Sequence, residues 1–415
     1  MIIDGKNYSG LCSCGREHAM TTEFCVVESG CLKDIEKYTD KYKLSGYSVA
    51  IYDENTYRAE GLVRPRADKE IILPAKDLHA DNHGVALAMA EIPEETGYLI
   101  AVGSGTVHDI TRYCAYTKGI DFVSCPTAAS VDGFCSSVAA MTWDGAKKTL
   151  TAVAPKIVVA DLDVIAKAPI RLALSGMGDM IGKYVALTEW RIGKILKGEY
   201  FCDRIYDMTL SATDDVIKSA DGVKRGDPDA FAKLTYGLLM SGLAMQMLGN
   251  SRCASGAEHH LSHFIEMKPE GFAERSDALH GEKVGVCTLI VYREYLRLAA
   301  MRSPELRDYP LIGEEEIYPM FGEALSAQIK DENSKDAAGG IKAEELEAAW
   351  GDIAALFEEL PTLESLEAIY RELGIKSTLE DIEVDEKKIP MMLDFAPFVR
   401  NRLTLLRLRR MIVNK

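Results

Sequence analysis

Four of the chain's eight histidines lie in one stretch, Ser255–Lys283, with the sequence SGAEHHLSHFIEMKPEGFAERSDALHGEK: His259, His260, His263 and His280. Residues four apart share one face of a helix, so His259 and His263 would lie one turn apart. Neutral imidazoles bind divalent metals, and an open catalytic site usually adds a carboxylate from elsewhere in the chain. The stretch therefore predicts a metal site, unless the histidines are only core or surface residues of an amphipathic helix.

A candidate for that carboxylate is Asp179, which lies among small residues in the segment Ser175–Lys183 (SGMGDMIGK). An isolated acid just before an apolar helical pattern is either a helix N-terminal residue or a ligand. The segment by itself does not distinguish these two roles.

A glycine-rich turn, Gly103–Thr106, follows the apolar run Tyr98–Val102 and precedes a helical pattern. Glycines let backbone N–H groups approach an anion closely, and the N-terminus of the following helix favours negative charge. The turn predicts a phosphate or pyrophosphate site, although such turns also occur simply to redirect the chain. Asp53 ends an earlier predicted strand, where it would accept hydrogen bonds from an adenosine ribose and repel a 2′-phosphate, which favours NAD over NADP.

The loop Pro126–Ser137 (PTAASVDGFCSS) is rich in hydroxyl groups and contains Asp132. A plain surface loop would also be polar. However, this loop follows a predicted strand next to the phosphate-binding turn, which is where the far half of a cofactor and the substrate would meet.

Ten cysteines are scattered without a disulfide-like pattern, which is typical of a protein in the reducing cytoplasm. Cys12, Cys14 and His18 form a local cluster that resembles half of a zinc knuckle. Because no second pair follows at a suitable spacing, the alternative is a terminal segment with free thiols.

The composition excludes several classes of protein. A net charge of −16 argues against a general nucleic-acid binder, since no continuous basic surface is available to displace phosphate counterions. Residues Met1–Gly10 lack the apolar run of a signal peptide. The most apolar helical segment, Phe231–Leu248, contains polar residues and is framed by Asp227-Pro228 and Gly249, so it predicts a buried helix and no integral membrane segment. We expect a cytoplasmic protein.

Strand and helix signals alternate along the first third of the chain. We predict strands at Tyr47–Tyr52, Glu70–Leu73, Tyr98–Val102 and Asp121–Cys125, and helices at Asp77–Ala90 and Val107–Thr117. This alternation predicts a parallel sheet with ligands at the carboxyl ends of its strands. From about Asp161 the patterns are helical, including an acidic helix at Lys342–Leu360 and a C-terminal helix at Arg400–Lys415 that packs its leucine face on the core. The predicted fold class is an α/β nucleotide-binding domain, residues 1–160, followed by an all-α domain, residues 161–415, that binds metal and substrate.

Six segments of the chain together resemble the sn-glycerol-1-phosphate dehydrogenases, within the larger group of iron-type alcohol dehydrogenases and dehydroquinate synthase. The segments are GSGTVHD (Gly103–Asp109), PTAASVDGFCSS (Pro126–Ser137), VVADLDVIAKAP (Val158–Pro169), GMGD (Gly176–Asp179), SGAEHHLSH (Ser255–His263) and HGEKVG (His280–Gly285). They occur in the family's order and spacing, from about Tyr47 to Gly285. The resemblance implies a dehydroquinate synthase-like fold with the active site between an α/β domain and a helical domain, and it suggests a homodimer or larger assembly.

The resemblance also implies roles for particular residues. The family's metal ligands fall on Asp179, His259 and His280, and its substrate contacts on Asp132, Asp179 and His263. The positions that match its cofactor contacts are Gly103, Ser104, Gly105, Thr106, Val107, Thr127, Ala128, Ala129, Ser130 and Ser136. His260 matches no ligand. The family's phosphate turn is often Gly-Gly-Gly, so the side chain of Ser104 must project away from the pyrophosphate.

The implied reaction is reduction of dihydroxyacetone phosphate by NAD(P)H, with a divalent zinc, nickel or iron ion polarising the ketone. Asp132 and His263 are the candidate catalytic side chains, since His263 is of a type that can relay a proton. The substrate phosphate needs a cation, for which Lys183 is the first candidate and Arg191 the second, unless both are ordinary surface charges. The alternatives are a dehydroquinate synthase-type lyase that uses NAD transiently, a polyol or glycerol dehydrogenase, and a nucleotide-binding protein that has lost its chemistry.

Overall fold

The computed structural model describes residues 1–143, 146–269, 272 and 276–413. The chain forms two compact units. The first comprises Met1–Met180 and Asp214–Asn250, and the second Ile181–Thr213 and Ser251–Lys415. The division falls inside two helices, Ile170–Ile181 and Asp203–Lys218, so each of these helices contributes to both units. The boundary predicted between residues 160 and 161 stays a prediction.

The first unit contains eleven strands in its described residues: β1 Ile2–Asp4, β2 Gly10–Leu11, β3 Glu17–His18, β4 Phe24–Glu28, β5 Tyr47–Asp53, β6 Lys69–Leu73, β7 Thr96–Gly103, β8 Asp121–Pro126, β9 Val138–Trp143, β10 Ala146–Thr151 and β11 Ile157–Asp161. Seven form one sheet in the order β1-β4-β11-β8-β7-β5-β6. All neighbours in it are parallel except β1 and β4. The predicted parallel sheet is confirmed.

The helices, in chain order, are α1 Ile35–Lys41, α2 Glu54–Tyr57, α3 Asn82–Glu91, α4 Gly105–Lys118, α5 Leu162–Ile165, α6 Ile170–Ile181, α7 Lys183–Lys197, α8 Asp203–Lys218, α9 Ala220–Lys224, α10 Pro228–Leu248, α11 Ala257–Met267, α12 His280–Ala299, α13 Glu314–Ile317, α14 Gly322–Glu332, α15 Ala343–Ala355, α16 Leu363–Leu373, α17 Ile389–Phe395 and α18 Leu405–Leu408. From α11 onward the described residues form helices and connections, with one isolated bridge between Leu306 and Ile412. The predicted fold class, an α/β sheet followed by helices, is therefore confirmed.

The sheet is buried on both faces, as expected of parallel strands covered by helices. Successive residues of β5 enter different clusters: Ala50 and Tyr52 pack with Ile100 on one face, while Val49 and Ile51 pack on the other. This arrangement explains why the strands read as continuous apolar runs without alternation. It also leaves the carboxyl ends of β5, β7 and β8 at one edge of the sheet.

Several predicted elements differ from the structure at their ends, and two helices illustrate this. The helix predicted from Asp77 begins at Asn82, because Asp81 caps it by accepting a hydrogen bond from the N–H of Gly84 at 2.7 Å. Asp77 itself has a φ of 57°, outside the right-handed helical region. The acidic helix predicted over Lys342–Leu360 ends at Ala355 and continues as a single 3₁₀ turn, Leu356–Glu359.

One apolar helical prediction is confirmed with its packing, and a second is confirmed only in its buried leucines. Helix α10 has Asp227 as its N-cap and Pro228 in its first turn, and it ends at Gly249 with a φ of 78°. Near the C-terminus, Leu405, Leu406 and Leu408 are buried as predicted, but the helix predicted over Arg400–Lys415 is wrong in its extent, because α18 covers only Leu405–Leu408 and a 3₁₀ turn, Arg409–Met411, follows it. Residues 414 and 415 of that predicted segment lie outside the described residues. Among the described residues, no helix is long and apolar enough to cross a membrane.

Candidate active site

Three histidine rings lie together in the second unit, on α11 and α12. The ring centroids are 5.4 Å apart for His259 and His280, 6.0 Å for His263 and His280, and 6.1 Å for His259 and His263. The predicted helical pair His259 and His263 is confirmed, since both lie on α11. His280 is the first residue of α12, and Gly281 lies within that helix. The N-terminus of α12 is fixed by Glu282, whose carboxylate accepts the N–H of Leu279 at 2.8 Å.

A buried carboxylate orients one of these rings. Oε1 of Glu258 lies 2.7 Å from Nδ1 of His259, and it also accepts the N–H of Gly256 at 2.7 Å. Glu258 is fully buried, and burial raises its pKa to about 7. When the N–H at Nδ1 donates a hydrogen bond to Glu258, Nε2 is unprotonated and its lone pair points to the opposite side of the ring. Metal-binding histidines are commonly held by carboxylates in this way, so this donor set fits a metal ion.

A second grouping in the same unit contains Glu266. One ligand atom from each of His263, Glu266 and His280 lies within 4.8 Å of the others. The Nζ atom of Lys283 is 3.5 Å from Oε1 of Glu266. Burial lowers the pKa of His263 well below its ordinary value, so this ring is neutral at pH 7.

The fourth histidine of the stretch, His260, is fully buried. Neither of its ring nitrogens has a hydrogen-bond partner within the described chain. Burial lowers its pKa well below the ordinary value, which keeps the ring neutral. His260 makes none of the ring contacts that join the other three histidines.

Asp179 lies in the first unit, in the last turn of α6. The alternative that it is a helix N-terminal residue is therefore wrong. Its side chain is fully buried, and Oδ2 accepts the N–H of Asp132 at 3.0 Å. The hydroxyl of Ser241, on α10, donates to Oδ2 of Asp132 at 2.8 Å. The polar loop is thus fixed to both α6 and α10.

The glycine-rich turn Gly103–Thr106 has the predicted position between a strand and a helix. β7 ends at Gly103, Ser104 is the N-cap of α4, and α4 begins at Gly105. The N–H of Thr127 donates to the carbonyl of Gly103 at 3.0 Å, which joins the turn to the next loop. A Cβ on Gly103 would come within 2.8 Å of the Cβ of Val107, so only glycine fits there.

The adjoining loop, residues 127–130, is packed closely against α6. A Cβ on Gly176 would overlap the carbonyl oxygen of Ala129. The hydroxyl of Ser175 donates to the carbonyl of Ser130 at 3.3 Å, while Ala128 and Ala129 are buried. The hydroxyl of Ser136, further along, donates to the carbonyl of Val138 at 2.8 Å.

Asp53 ends β5 at the same edge of the sheet and is the N-cap of α2. Its Oδ1 accepts the N–H of Thr56 at 2.8 Å, and its Oδ2 accepts the Thr56 hydroxyl at 3.1 Å. The carboxylate therefore has a local structural role, and any contact with a ribose would be additional to it.

The two candidate phosphate-binding cations differ in their surroundings. Lys183 is fully buried, and its Nζ donates to the carbonyl of Ala254 at 3.0 Å. The alternative that Lys183 is an ordinary surface charge is wrong. Arg191 pairs with Glu359 through two hydrogen bonds, one of them at 3.1 Å, and its side chain is 29% exposed.

Two acidic residues that support this site were not singled out from the sequence. Glu258 stands in the motif SGAEH directly before His259, and that adjacency was the available signal. Glu189, on α7, accepts the N–H of Ala257 at 3.0 Å and so holds the N-terminus of α11. Burial raises the pKa of Glu189 to about 8, and Tyr295 donates its hydroxyl to the same carboxylate. No sequence signal links Glu189 to α11, because the contact depends on tertiary packing.

Comparisons with known proteins agree with the motifs. Residues 26–169 match the family described as iron-containing alcohol dehydrogenase. A glycerol-1-phosphate dehydrogenase (NAD(P)+) from Bacillus licheniformis is 32% identical over 411 residues, which cover 96% of this chain and 92% of the relative. A protein of the same name from Pyrococcus horikoshii is 32% identical over 265 residues, covering 63% of this chain and 75% of that protein.

Solved structures share the fold at much lower identity. The sulfoacetaldehyde reductase of Bifidobacterium kashiwanohense, in complex with NAD+, has a TM-score of 0.60 at 12% identity and covers 95% of this chain and 97% of that one. A probable glycerol dehydrogenase from Sinorhizobium meliloti has a TM-score of 0.53 at 18% identity, covering 86% of this chain and 98% of that chain. The sequence relatives confirm the family that the six motifs indicated. The chain belongs to the NAD(P)-dependent glycerol-1-phosphate dehydrogenases, which are iron-type alcohol dehydrogenases.

Proposed function

We propose that this chain reduces dihydroxyacetone phosphate to sn-glycerol 1-phosphate with NADH or NADPH. The relatives' shared name supports the product and the cofactor class. The observation that carries the proposal is the pairing of His259 with the buried carboxylate of Glu258, within a cluster of three histidines. Metal-binding histidines almost always donate their second ring N–H to a carboxylate, a carbonyl or water, so this pairing supports His259 as a metal ligand.

Asp179, His259 and His280 are the proposed metal ligands. His259 and His280 are supported by their adjacent rings, and Asp179 by its burial in the last turn of α6. Two imidazoles and one carboxylate suit zinc, nickel or iron, with positions left for substrate oxygens. When bound, such an ion polarises the ketone, and the reduced nicotinamide supplies the hydride.

The proposed cofactor site is the turn Gly103–Val107 together with Thr127–Ser130 and Ser136. It is supported by the backbone N–H groups at the start of α4, which suit a pyrophosphate, and by the close packing of residues 127–130 on Gly176. NADH is the proposed preference, because the carboxylate of Asp53 at the end of β5 would repel a 2′-phosphate.

Asp132 and His263 are the proposed catalytic side chains. Asp132 is held by its N–H to Asp179 and by the hydroxyl of Ser241, so its position is fixed before substrate arrives. The neutral ring of His263 can pass a proton towards the forming alcohol. Lys183 stays the proposed cation for the substrate phosphate. Burial raises the pKa of Glu258 and the charge of Lys183 opposes that rise, which supports a second role of Lys183 as counter-charge to Glu258.

The deciding experiment is a substrate panel with purified, metal-loaded protein, followed at the absorbance of NADH. Dihydroxyacetone phosphate should cause stoichiometric NADH oxidation, and chiral analysis should identify the product as sn-glycerol 1-phosphate. A dehydroquinate synthase-type lyase would give no net oxidation, and a polyol dehydrogenase would prefer unphosphorylated substrates. Either of those results would overturn the proposal, and elemental analysis of the same sample would identify the metal.

We further propose a cytoplasmic, homodimeric enzyme whose product enters phospholipid synthesis. Ten cysteines without a disulfide bond and the absence of a membrane-spanning helix in the described residues agree with that location. Size-exclusion chromatography with light scattering tests the dimer, and a monomer would contradict it.

A further inference from the structure

A small hairpin near the N-terminus brings three metal-binding side chains together. Strands β2 and β3 pair in register, with Gly10 opposite His18 and Leu11 opposite Glu17. The turn between them is closed by two hydrogen bonds: the N–H of Cys12 donates to the carbonyl of Arg16, and the N–H of Gly15 to the carbonyl of Cys12, both at 2.9 Å. Gly15 has a φ of 84°, which favours glycine. The hairpin thus folds two cysteines and one histidine into a tight loop.

The ligand atoms of this loop point towards one another. Those of Cys12, Cys14 and His18 lie within 4.8 Å of each other, and the Sγ of Cys14 is 3.4 Å from Nε2 of His18. Zinc bonds to thiolate sulfur and imidazole nitrogen are about 2.3 Å and 2.0–2.1 Å long, so ligand atoms around one ion lie about 3.5–4 Å apart. The three atoms are therefore close enough to share an ion with only small side-chain rotations.

The ring of His18 is held in the orientation that a metal ligand needs. Its Nδ1 lies 2.8 Å from the backbone carbonyl of Met247, on α10, and the side chain is only 3% exposed. A carbonyl accepts only, so Nδ1 carries the proton and the Nε2 lone pair faces the two sulfurs. Carbonyl partners of this kind fix the tautomer of metal-binding histidines. A buried histidine that served only to pack would not need both an oriented tautomer and two thiols at its other nitrogen.

We propose that Cys12, Cys14 and His18 bind a structural zinc ion that fixes the β2–β3 hairpin to α10. All ten cysteines lie within the described residues and none forms a disulfide bond, so thiols are available for a metal in a reducing environment. The ion would hold the ring of His18, which contacts the carbonyl of Met247 on α10, the helix that also carries Ser241, the partner of Asp132. This inference is independent of the proposed reaction, since none of the three residues belongs to the proposed active site.

The experiment compares zinc content and zinc coordination in the full-length protein and two variants. In zinc-loaded wild-type protein, X-ray absorption should detect sulfur neighbours at about 2.3 Å, which the nitrogen and oxygen ligands of the histidine site cannot supply. Cys14→Ser should lose about one zinc per chain and all or part of that sulfur signal. Glu17→Gln is the matched control, because Glu17 is exposed and lies between Cys14 and His18 in the same hairpin, so this variant should keep the full zinc content.

The proposal is overturned if zinc-loaded wild-type protein has no sulfur neighbours around the metal, or if Cys14→Ser binds as much zinc as wild type. The wild-type measurement decides the matter even if the variant does not fold. Structural zinc sites are four-coordinate, so a fourth ligand is required.

Discussion

Nδ1 of His259 lies 2.7 Å from Oε1 of Glu258, the residue immediately before it in the chain. Consecutive residues of a helix do not normally face each other. The contact forms here because both residues lie in the first turn of α11, where the Glu258 carboxylate also accepts the N–H of Gly256. One buried carboxylate therefore caps the helix and orients the histidine beside it.

Glu258→Gln should weaken metal binding while leaving the fold intact. Glutamine keeps the shape and an acceptor for the His259 ring, but it removes the negative charge that Glu258 carries above its pKa of about 7, so the affinities are compared at about pH 8. Loss of such a partner typically costs 10–100-fold in metal affinity, so we expect a rise of about that size in the metal dissociation constant. Competition with a chromogenic chelator measures it. Glu258→Leu, which also removes the acceptor, should be weaker still, and equal affinities in all three proteins would contradict the role.

Most of the α/β fold could be predicted from the sequence, because its strands are apolar runs that end at glycine, proline or aspartate. The predicted strands Tyr47–Tyr52 and Asp121–Cys125, for example, each lie within an observed strand that is one residue longer. The strand Phe24–Glu28 was not predicted, although its first four residues are buried. This strand pairs with β11, which lies more than a hundred residues later in the chain. A local sequence pattern does not predict a pairing between residues so far apart.

The candidate site could be predicted only in part. The histidine cluster followed from residue type and helical spacing, whereas the contact of Glu189 with the N–H of Ala257 joins residues 68 apart in sequence. The burial of Lys183 was also missed, because a lysine among apolar helical residues reads as a surface charge. Buried charges are stabilised by partners that are distant in the chain, so the sequence gives the identity of such a residue but does not predict its contacts.

Removal of a proposed metal ligand should abolish turnover without unfolding the chain. Asp179→Asn keeps an acceptor for the N–H of Asp132 but weakens the metal ligand, and His280→Ala removes one imidazole. We expect each variant to lose bound metal and more than about a hundredfold in kcat, with an unchanged circular dichroism spectrum. His83→Ala, at an exposed position of α3, is the control and should retain both. Prolonged chelation of the wild-type protein should reproduce the loss of activity, and re-addition of the metal should restore activity. Full activity in a variant that contains no metal would refute the proposed ligands.

Asp53→Asn should shift cofactor use towards NADPH. Asparagine caps helices about as well as aspartate, so α2 keeps the hydrogen bond from Thr56 N–H while the charge that repels a 2′-phosphate is lost. We expect the ratio of kcat/KM for NADPH over NADH to rise by about tenfold, equivalent to about 1.4 kcal/mol. Thr56→Val, which removes only the side-chain hydroxyl bonded to Asp53, is the control. A ratio that stays the same in Asp53→Asn would mean that Asp53 acts only as a helix cap.

Gly176→Ala should destabilise the first unit and impair cofactor binding together. The new Cβ would overlap the carbonyl oxygen of Ala129, and neither the α6 backbone nor the 127–130 loop can move without disturbing the other. Overpacking of this kind costs about 1–3 kcal/mol, and displacement of the loop should raise the KM for NADH. Urea denaturation and steady-state kinetics measure the two effects.

The matched control for that substitution is Gly351→Ala on α15. A Cβ there meets open space and the position is exposed, so alanine should stabilise the helix by about 0.5–1 kcal/mol with no change in KM. The two glycines lie in the interiors of helices, and therefore their helix propensities predict the same gain in stability on substitution by alanine. If the free energy of unfolding falls in Gly176→Ala and rises in Gly351→Ala, relative to wild type, the difference is due to the contact with Ala129. If both variants gained stability, the close packing of α6 on the 127–130 loop would be refuted.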